Sequence, residues 1–236
     1  MSLSCGIVGL PNVGKSTLFN ALTSSGISAE NYPFCTIEPN TGIVELPDHR
    51  LDKLVKIVSP QKVLPATVEF VDIAGLVEGA SKGEGLGNKF LSNIRETAAI
   101  VNVIRCFDDP NIIHVNGSID PVSDAETIAT ELTLADLASV EKQLIKSEKL
   151  AKTGEKEAKN FSALLKRCLQ HLDSVKPLRS LNLDPNDLEM LKPFCLLTLK
   201  PMMYVANVSE NGFENNEYLD VLKKYANNQN APVVSI

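Results

Sequence analysis

The chain has 236 residues, 44% apolar and 22% charged, enough for one large domain or two small ones around a substantial core. Its formal net charge of −6 excludes an overall basic field for nucleic acid, although a local basic patch is compatible with it. Five cysteines, Cys5, Cys35, Cys106, Cys168 and Cys195, lie far apart with no C-x-x-C pair, which points away from zinc and disulfide frameworks and towards reduced cytosolic thiols.

The opening M-S-L-S-C-G-I-V-G has no basic start or long apolar run, so it predicts a first strand and not a signal peptide. Nowhere does the chain approach the ~18 uncharged apolar residues of a membrane span, so a cytoplasmic protein with no membrane partner is expected. Short apolar runs alternate with helical patterns, which predicts an α/β fold: a mostly parallel sheet flanked by helices. The strands are expected over 3–8, 42–46, 67–71, 100–105, 202–206 and 232–236.

The first strand runs into G-L-P-N-V-G-K-S, residues 9–16, a full match to G-x-x-x-x-G-K-[ST], and T-L-F-N-A-L continues it as a helix. Glycines let such a loop wrap closely, so its amides and the helix N-terminus face phosphate oxygens. Asn12, Val13, Gly14, Lys15, Ser16 and Thr17 are therefore the expected nucleotide-binding residues. Lys15 supplies charge to the β- and γ-phosphates, which makes it a candidate catalytic residue as well, and the Ser16 hydroxyl is a magnesium ligand. In the stretch Y-P-F-C-T-I-E-P-N-T-G that follows, Thr36 is the candidate to close on the metal when a γ-phosphate is present. A threonine in an ordinary surface loop is the plainer alternative.

The third strand delivers Asp72 to the sheet's carboxyl edge as a further metal residue, and the Gly75 amide is expected to face the γ-phosphate. Gly79, Gly83, Gly85 and Gly87 make the segment beyond Asp72 a mobile switch or a merely flexible loop. Ras-type sites carry a water-orienting glutamine after D-x-x-G, but here that position is Leu76, which cannot align water. His114, in the polar loop D-D-P-N-I-I-H-V, is the nearest candidate for this catalytic task; potassium or a partner completing the site is the alternative.

A helix is predicted from Ser123 to about Lys149, opened by S-D-A-E at capping-box spacing and striped by Leu132, Leu137, Val140 and Leu144. After Thr153-Gly154 a second amphipathic run reaches Leu172, making an antiparallel hairpin inserted between the fourth and fifth strands. Lys142, Lys146, Lys149, Lys152, Lys156, Lys159, Lys166 and Arg167 alternate there with glutamates, the pattern of a solvated face that is also compatible with RNA or the ribosome. Asp184-Pro185-Asn186-Asp187 predicts the cap of a short helix leading back to the sheet.

Where guanine-reading sites carry N-K-x-D, this chain has Asn207-Val208-Ser209-Glu210. Glu210 is one methylene longer than Asp, and Val208 lacks the stem and charge of Lys, so the guanine fork should be weakened. Asn207, Val208 and Glu210 are the expected base-side contacts.

Together, G-L-P-N-V-G-K-S-T, N-Y-P-F-C-T-I-E-P-N-T-G, D-I-A-G-L-V-E-G-A-S-K-G-E-G-L-G-N, I-R-E-T and G-F-E-N-N closely resemble the YchF/Obg-like ATPase subfamily of the Obg superfamily, over essentially the whole chain. The resemblance implies a Ras-like nucleotide domain, here 1–123 with 199–236, interrupted by a coiled-coil-like helical insertion at 124–198. It also implies a C-terminal TGS domain, which this chain is expected to lack because it ends in V-V-S-I. It further implies links to the ribosome and to stress responses, ATP preferred over GTP, base contacts largely through the backbone near Val208, and a histidine at the His114 position in hydrolysis. The expected function is a magnesium-dependent ATP hydrolase acting as a slow switch, of unassigned oligomeric state. A strict GTPase and a non-hydrolysing nucleotide-regulated module are the alternatives.

Overall fold

In a computed structural model, residues 3–23, 40–73, 86–114, 117–152 and 156–236 are described, 86–89 by backbone alone. The six expected strands all form: β1 (Leu3–Val8), β2 (Thr41–Glu45), β3 (Thr67–Asp72), β4 (Ala99–Arg105), β5 (Met202–Asn207) and β6 (Val233–Ser235). They make one sheet in the order β2-β3-β1-β4-β5-β6, with β2 antiparallel to β3 and every other pair parallel. This is the α/β fold expected. The parallel register puts Ile7 beside Asp72 and Arg105 beside Asn207, so the exits of β1, β3, β4 and β5 share one edge.

The central strands are apolar because both of their faces are covered: Ile7, Val8, Ile100, Val103 and Tyr204 are all fully buried. Helix α1 (Lys15–Thr23) leaves the loop after β1. Helices α2 (His49–Val58), α3 (Leu86–Glu96) and α7 (Glu217–Asn228) have no counterpart in the sequence reading. Asn216 caps α7 by accepting from the Leu219 N–H, and Leu219, Leu222 and Ala226 face the core.

The hairpin consists of α4 (Pro121–Ala151) and α5 (Lys156–Asp173). One expectation needs correction: α4 begins two residues before Ser123. Asp120 is the cap, its carboxylate accepting from the Val122 and Ser123 N–H groups, and Pro121 occupies the first turn, where a missing N–H costs nothing. The S-D-A-E tetrapeptide thus lies inside the helix. The expected cap at Asp184 does form, as a reciprocal box with Asp187 opening α6 (Pro185–Leu191).

Two apolar clusters share α4. Ala125, Ile128, Leu132 and Ala135 belong to the core under the sheet. Val140 packs instead with Leu164, Leu165, Cys168 and Leu172 of α5. At the changeover the fully buried Asp136 accepts from the Leu197 N–H (2.9 Å), the Thr198 N–H (2.7 Å) and the Thr198 hydroxyl (2.7 Å). Arg95 of α3 donates to Ser139 and to the Cys195 carbonyl at the same junction. A buried carboxylate is tolerated there because its oxygens are matched by donors.

Candidate functional site

The loop between β1 and α1 is shaped by close backbone approaches. Gly9 has φ 148, and a Cβ there would lie 2.5 Å from the Val103 carbonyl of β4. Gly14 has φ 98, and a Cβ there would run into the side-chain amide of Asn207. Asn12, between them, takes a left-handed φ of 62, a conformation asparagine tolerates better than most residues. Two side chains tie the loop to the sheet edge. Asn207 Nδ2 donates to the Val13 carbonyl at 3.0 Å, and Asn12 Nδ2 donates to the Ile113 carbonyl at 3.2 Å.

Inside this frame Lys15 is 7% exposed, and its ammonium donates to the Leu10 carbonyl at 2.6 Å. Burial lowers its pKa to about 8, while the Asp72 carboxylate pulls the other way. The Ser16 hydroxyl donates to Asp72 Oδ2 at 3.0 Å. The other carboxylate oxygen, Asp72 Oδ1, is buried and has no hydrogen-bond partner among the described residues. An ammonium, a hydroxyl and a carboxylate with one unsatisfied oxygen thus meet at the parallel edge. That donor set suits a hard divalent cation, which takes one or two protein oxygens and completes its shell with phosphate and water. Among the described residues no group of three or more His, Cys, Asp or Glu could hold a metal by itself.

At the exit of β5, Asn207 is committed to Val13, so its side chain braces the loop. Val208 is buried, and its N–H donates to the Ile236 carbonyl at 3.0 Å, just beyond the β5–β6 pairing. Glu210 is exposed, as are Asn12, Ser16 and Thr17. Thr36, Gly75 and Leu76 lie outside the described residues.

The loop after β4 is more built than its polar sequence suggests. Arg105, almost fully buried, donates to the carbonyls of Phe107 (3.0 Å), Asp109 (3.1 Å) and Ile112 (2.9 Å), and its guanidinium lies over the Phe107 ring. Asn216 adds a donation to the Cys106 carbonyl at 2.9 Å. His114 is therefore not a solvated loop residue. Its Nε2 lies 2.9 Å from Asp124 Oδ2 in the first turn of α4, with side chains 6% and 1% exposed. Burial raises the Asp124 pKa, and the His114 hydrogen bond opposes that shift. Sequence reasoning missed Asp124, Arg105 and Asn216. For Asn216 a signal existed, an Asn before a helical pattern; the other two bond to single groups in the neighbouring loop and helix start, pairings that impose no periodic pattern on the sequence.

The family model described as 50S ribosome-binding GTPase matches residues 4–132. The ribosome-binding ATPase YchF of Haemophilus influenzae is 59% identical over 236 residues, and that of Bacillus subtilis is 52% identical over 239. Each match covers 100% of this chain, which spans 65% of the length of those curated relatives. Among solved structures, that of the Schizosaccharomyces pombe YchF GTPase matches at 40% identity and a TM-score of 0.85, covering 100% of this chain and 65% of that one. The resemblance read from the motifs is borne out. The relatives' names divide between ATPase and GTPase, so they leave the choice of nucleotide to the residues.

Proposed function

Because this chain belongs to the 50S ribosome-binding GTPase family, we propose that it is a magnesium-dependent nucleoside triphosphatase that hydrolyses ATP in preference to GTP and works as a slow switch linked to the ribosome. The observation that carries this reading is the meeting of Lys15, Ser16 and Asp72 beside a loop that Gly9 and Gly14 let pack closely against Val103 and Asn207. The loop amides and the start of α1 bind the phosphates, and Lys15 exchanges the Leu10 carbonyl for phosphate oxygen. Ser16 and Asp72, joined by Thr36, are the residues that would hold magnesium, Asp72 Oδ1 being buried and without a hydrogen-bond partner among the described residues. When bound, magnesium supplies neutralisation of charge on the β- and γ-phosphates.

The preference for ATP rests on what replaces the guanine fork. Asn207 braces Val13, Val208 presents an apolar side chain, and Glu210 carries its carboxylate on a longer arm. A backbone contact from Val208 to the base would use its carbonyl, since its N–H is engaged by Ile236. In the absence of a glutamine after D-x-x-G, His114 is the residue assigned to the attacking water, with Lys15 stabilising the developing charge. The ribosome, named for the curated relatives, is the partner proposed here, with the cytoplasm as the place of action.

Displacement of a fluorescent nucleotide from the 236-residue chain by ATP and by GTP, with magnesium, tests the reading. ATP should displace at the lower concentration, and equal or GTP-favouring displacement would sink the preference. Phosphate release, run in potassium and in sodium, tests hydrolysis; binding without release would favour the non-hydrolysing module. Lys15→Ala should weaken nucleotide binding about 100-fold, by removing a buried cation from its phosphates.

A further inference from the structure

We propose that Asp124 is the positioning residue for His114: it fixes the imidazole by accepting from Nε2–H and serves as counter-charge when the ring takes a proton. This rests on the reading above, in which His114 handles the attacking water. Three observations carry it.

The first is the pair itself, at 2.9 Å between two buried side chains. In a neutral imidazole that donates from Nε2, Nδ1 is the basic nitrogen, so the carboxylate decides the tautomer. The second is that Asp124 is free of helix-capping duty. Asp120 caps α4, and Asp124 Oδ1 has no hydrogen-bond partner among the described residues. A buried carboxylate that supports neither cap nor core is costly to keep unless its partner needs it. The third is the rigidity of the mount. Arg105 holds the 107–112 backbone through three carbonyls, and the carbonyl of Ile113, next to the histidine, is gripped by Asn12 of the phosphate loop. The ring is thereby fixed relative to the phosphate loop from both its backbone and its side chain.

The ionisable groups around the carboxylate are His114 and Cys106, with Arg105 at the end of β4 and Asp120 at the helix start. In the hydrolytic step a water proton passes to the imidazole as the water oxygen bonds to the γ-phosphorus. The bond from that phosphorus to the bridging oxygen breaks, and the nucleoside diphosphate leaves with the electron pair. Asp124 stays ionised throughout and balances the imidazolium.

The test compares ATP turnover and nucleotide affinity of the unaltered chain with Asp124→Asn, Asp124→Glu, His114→Ala and the Asp124→Asn/His114→Ala double variant. Asp124→Asn should lower kcat by on the order of 10- to 100-fold with nucleotide affinity unchanged. Asp124→Glu should recover part of the rate, and the double variant should be no slower than His114→Ala. If His114→Ala is slow while Asp124→Asn turns over at or above the unaltered rate, Asp124 has no positioning role and the reading of His114 stands. If neither variant is slow, both assignments fall, while the nucleotide site is untouched. Nitrogen-15 spectra of the His114 ring give a readout independent of turnover. The unaltered chain should carry its proton on Nε2 and Asp124→Asn should lose that preference; an Nδ1-protonated ring in the unaltered chain overturns the proposal.

Discussion

The side-chain amide of Asn207 donates to the Val13 carbonyl at 3.0 Å, joining residues 194 positions apart. One bond thus couples the exit of β5 to the crest of the phosphate loop, at the place where Gly14 leaves room for it. Asn207→Ala should therefore weaken ATP and GTP alike, by about 10-fold, the value of one partly buried hydrogen bond and the loop order it maintains. The ratio of the two affinities should not change. A selective loss of one nucleotide would show that Asn207 contacts the base and does not act through the loop.

Asp72 accepts from the Ser16 hydroxyl with one oxygen, and its other oxygen has no hydrogen-bond partner among the described residues. Asp72→Asn keeps the shape but removes the charge that a divalent cation needs. Nucleotide affinity in the unaltered chain should rise as magnesium is titrated in and fall when a chelator is added, whereas the variant should show a shallow response to both. An undiminished magnesium response in the variant would remove Asp72 from the metal site.

Base selectivity should be reversible with two substitutions. Val208→Lys with Glu210→Asp restores the side chains that a guanine fork uses, on a strand exit that Asn207 already holds in place. The ATP-to-GTP affinity ratio should shift towards GTP by at least about tenfold, the scale of one regained charge-assisted pair. An unchanged ratio would mean that selectivity lies in the backbone around Val208 and not in these side chains.

Alkaline stability should report on Cys106. Burial pushes its thiol up to about 12 from the ordinary 9.0, with the Asp124 charge adding to the shift. Between those values the folded chain holds a proton that the unfolded chain has lost. The stabilisation is whole below pH 9 and drains away as pH rises towards 12, by about 1 kcal/mol from pH 9 to 10. Cys106→Ala should flatten that decline. Denaturant midpoints at about pH 8 and about pH 10 check it, and parallel losses in both proteins would assign the slope to other groups.

The strands were legible because a buried parallel sheet writes itself locally, as short apolar runs between breakers. Residues 3–8, 67–72 and 99–105 carry that pattern without help from elsewhere. The phosphate loop was legible for a similar reason: glycines, lysine and serine must stand at set intervals for eight consecutive residues to wrap an anion. The start of α4 was misplaced because two capping signals compete there. Asp120-Pro121 offers a carboxylate cap and a ring already shaped for a first turn, and it prevails over Ser123.

By itself, the sequence determined the sheet, the glycine-rich loop after β1, the helical hairpin and the replacement of N-K-x-D by N-V-S-E after β5, since each is written in neighbours within a few positions. Tertiary structure alone decided that Asn207 braces Val13, that Arg105 holds the loop after β4, that Asp136 closes the junction between the two apolar clusters, and that His114 faces Asp124. Those are pairings of single polar groups, and those of Asn207 and Asp136 reach well along the chain. A hydrogen bond needs only one donor and one acceptor, so it imposes no period on the sequence, and burial, which makes the pairing obligatory, exists only once the sheet and its helices have come together.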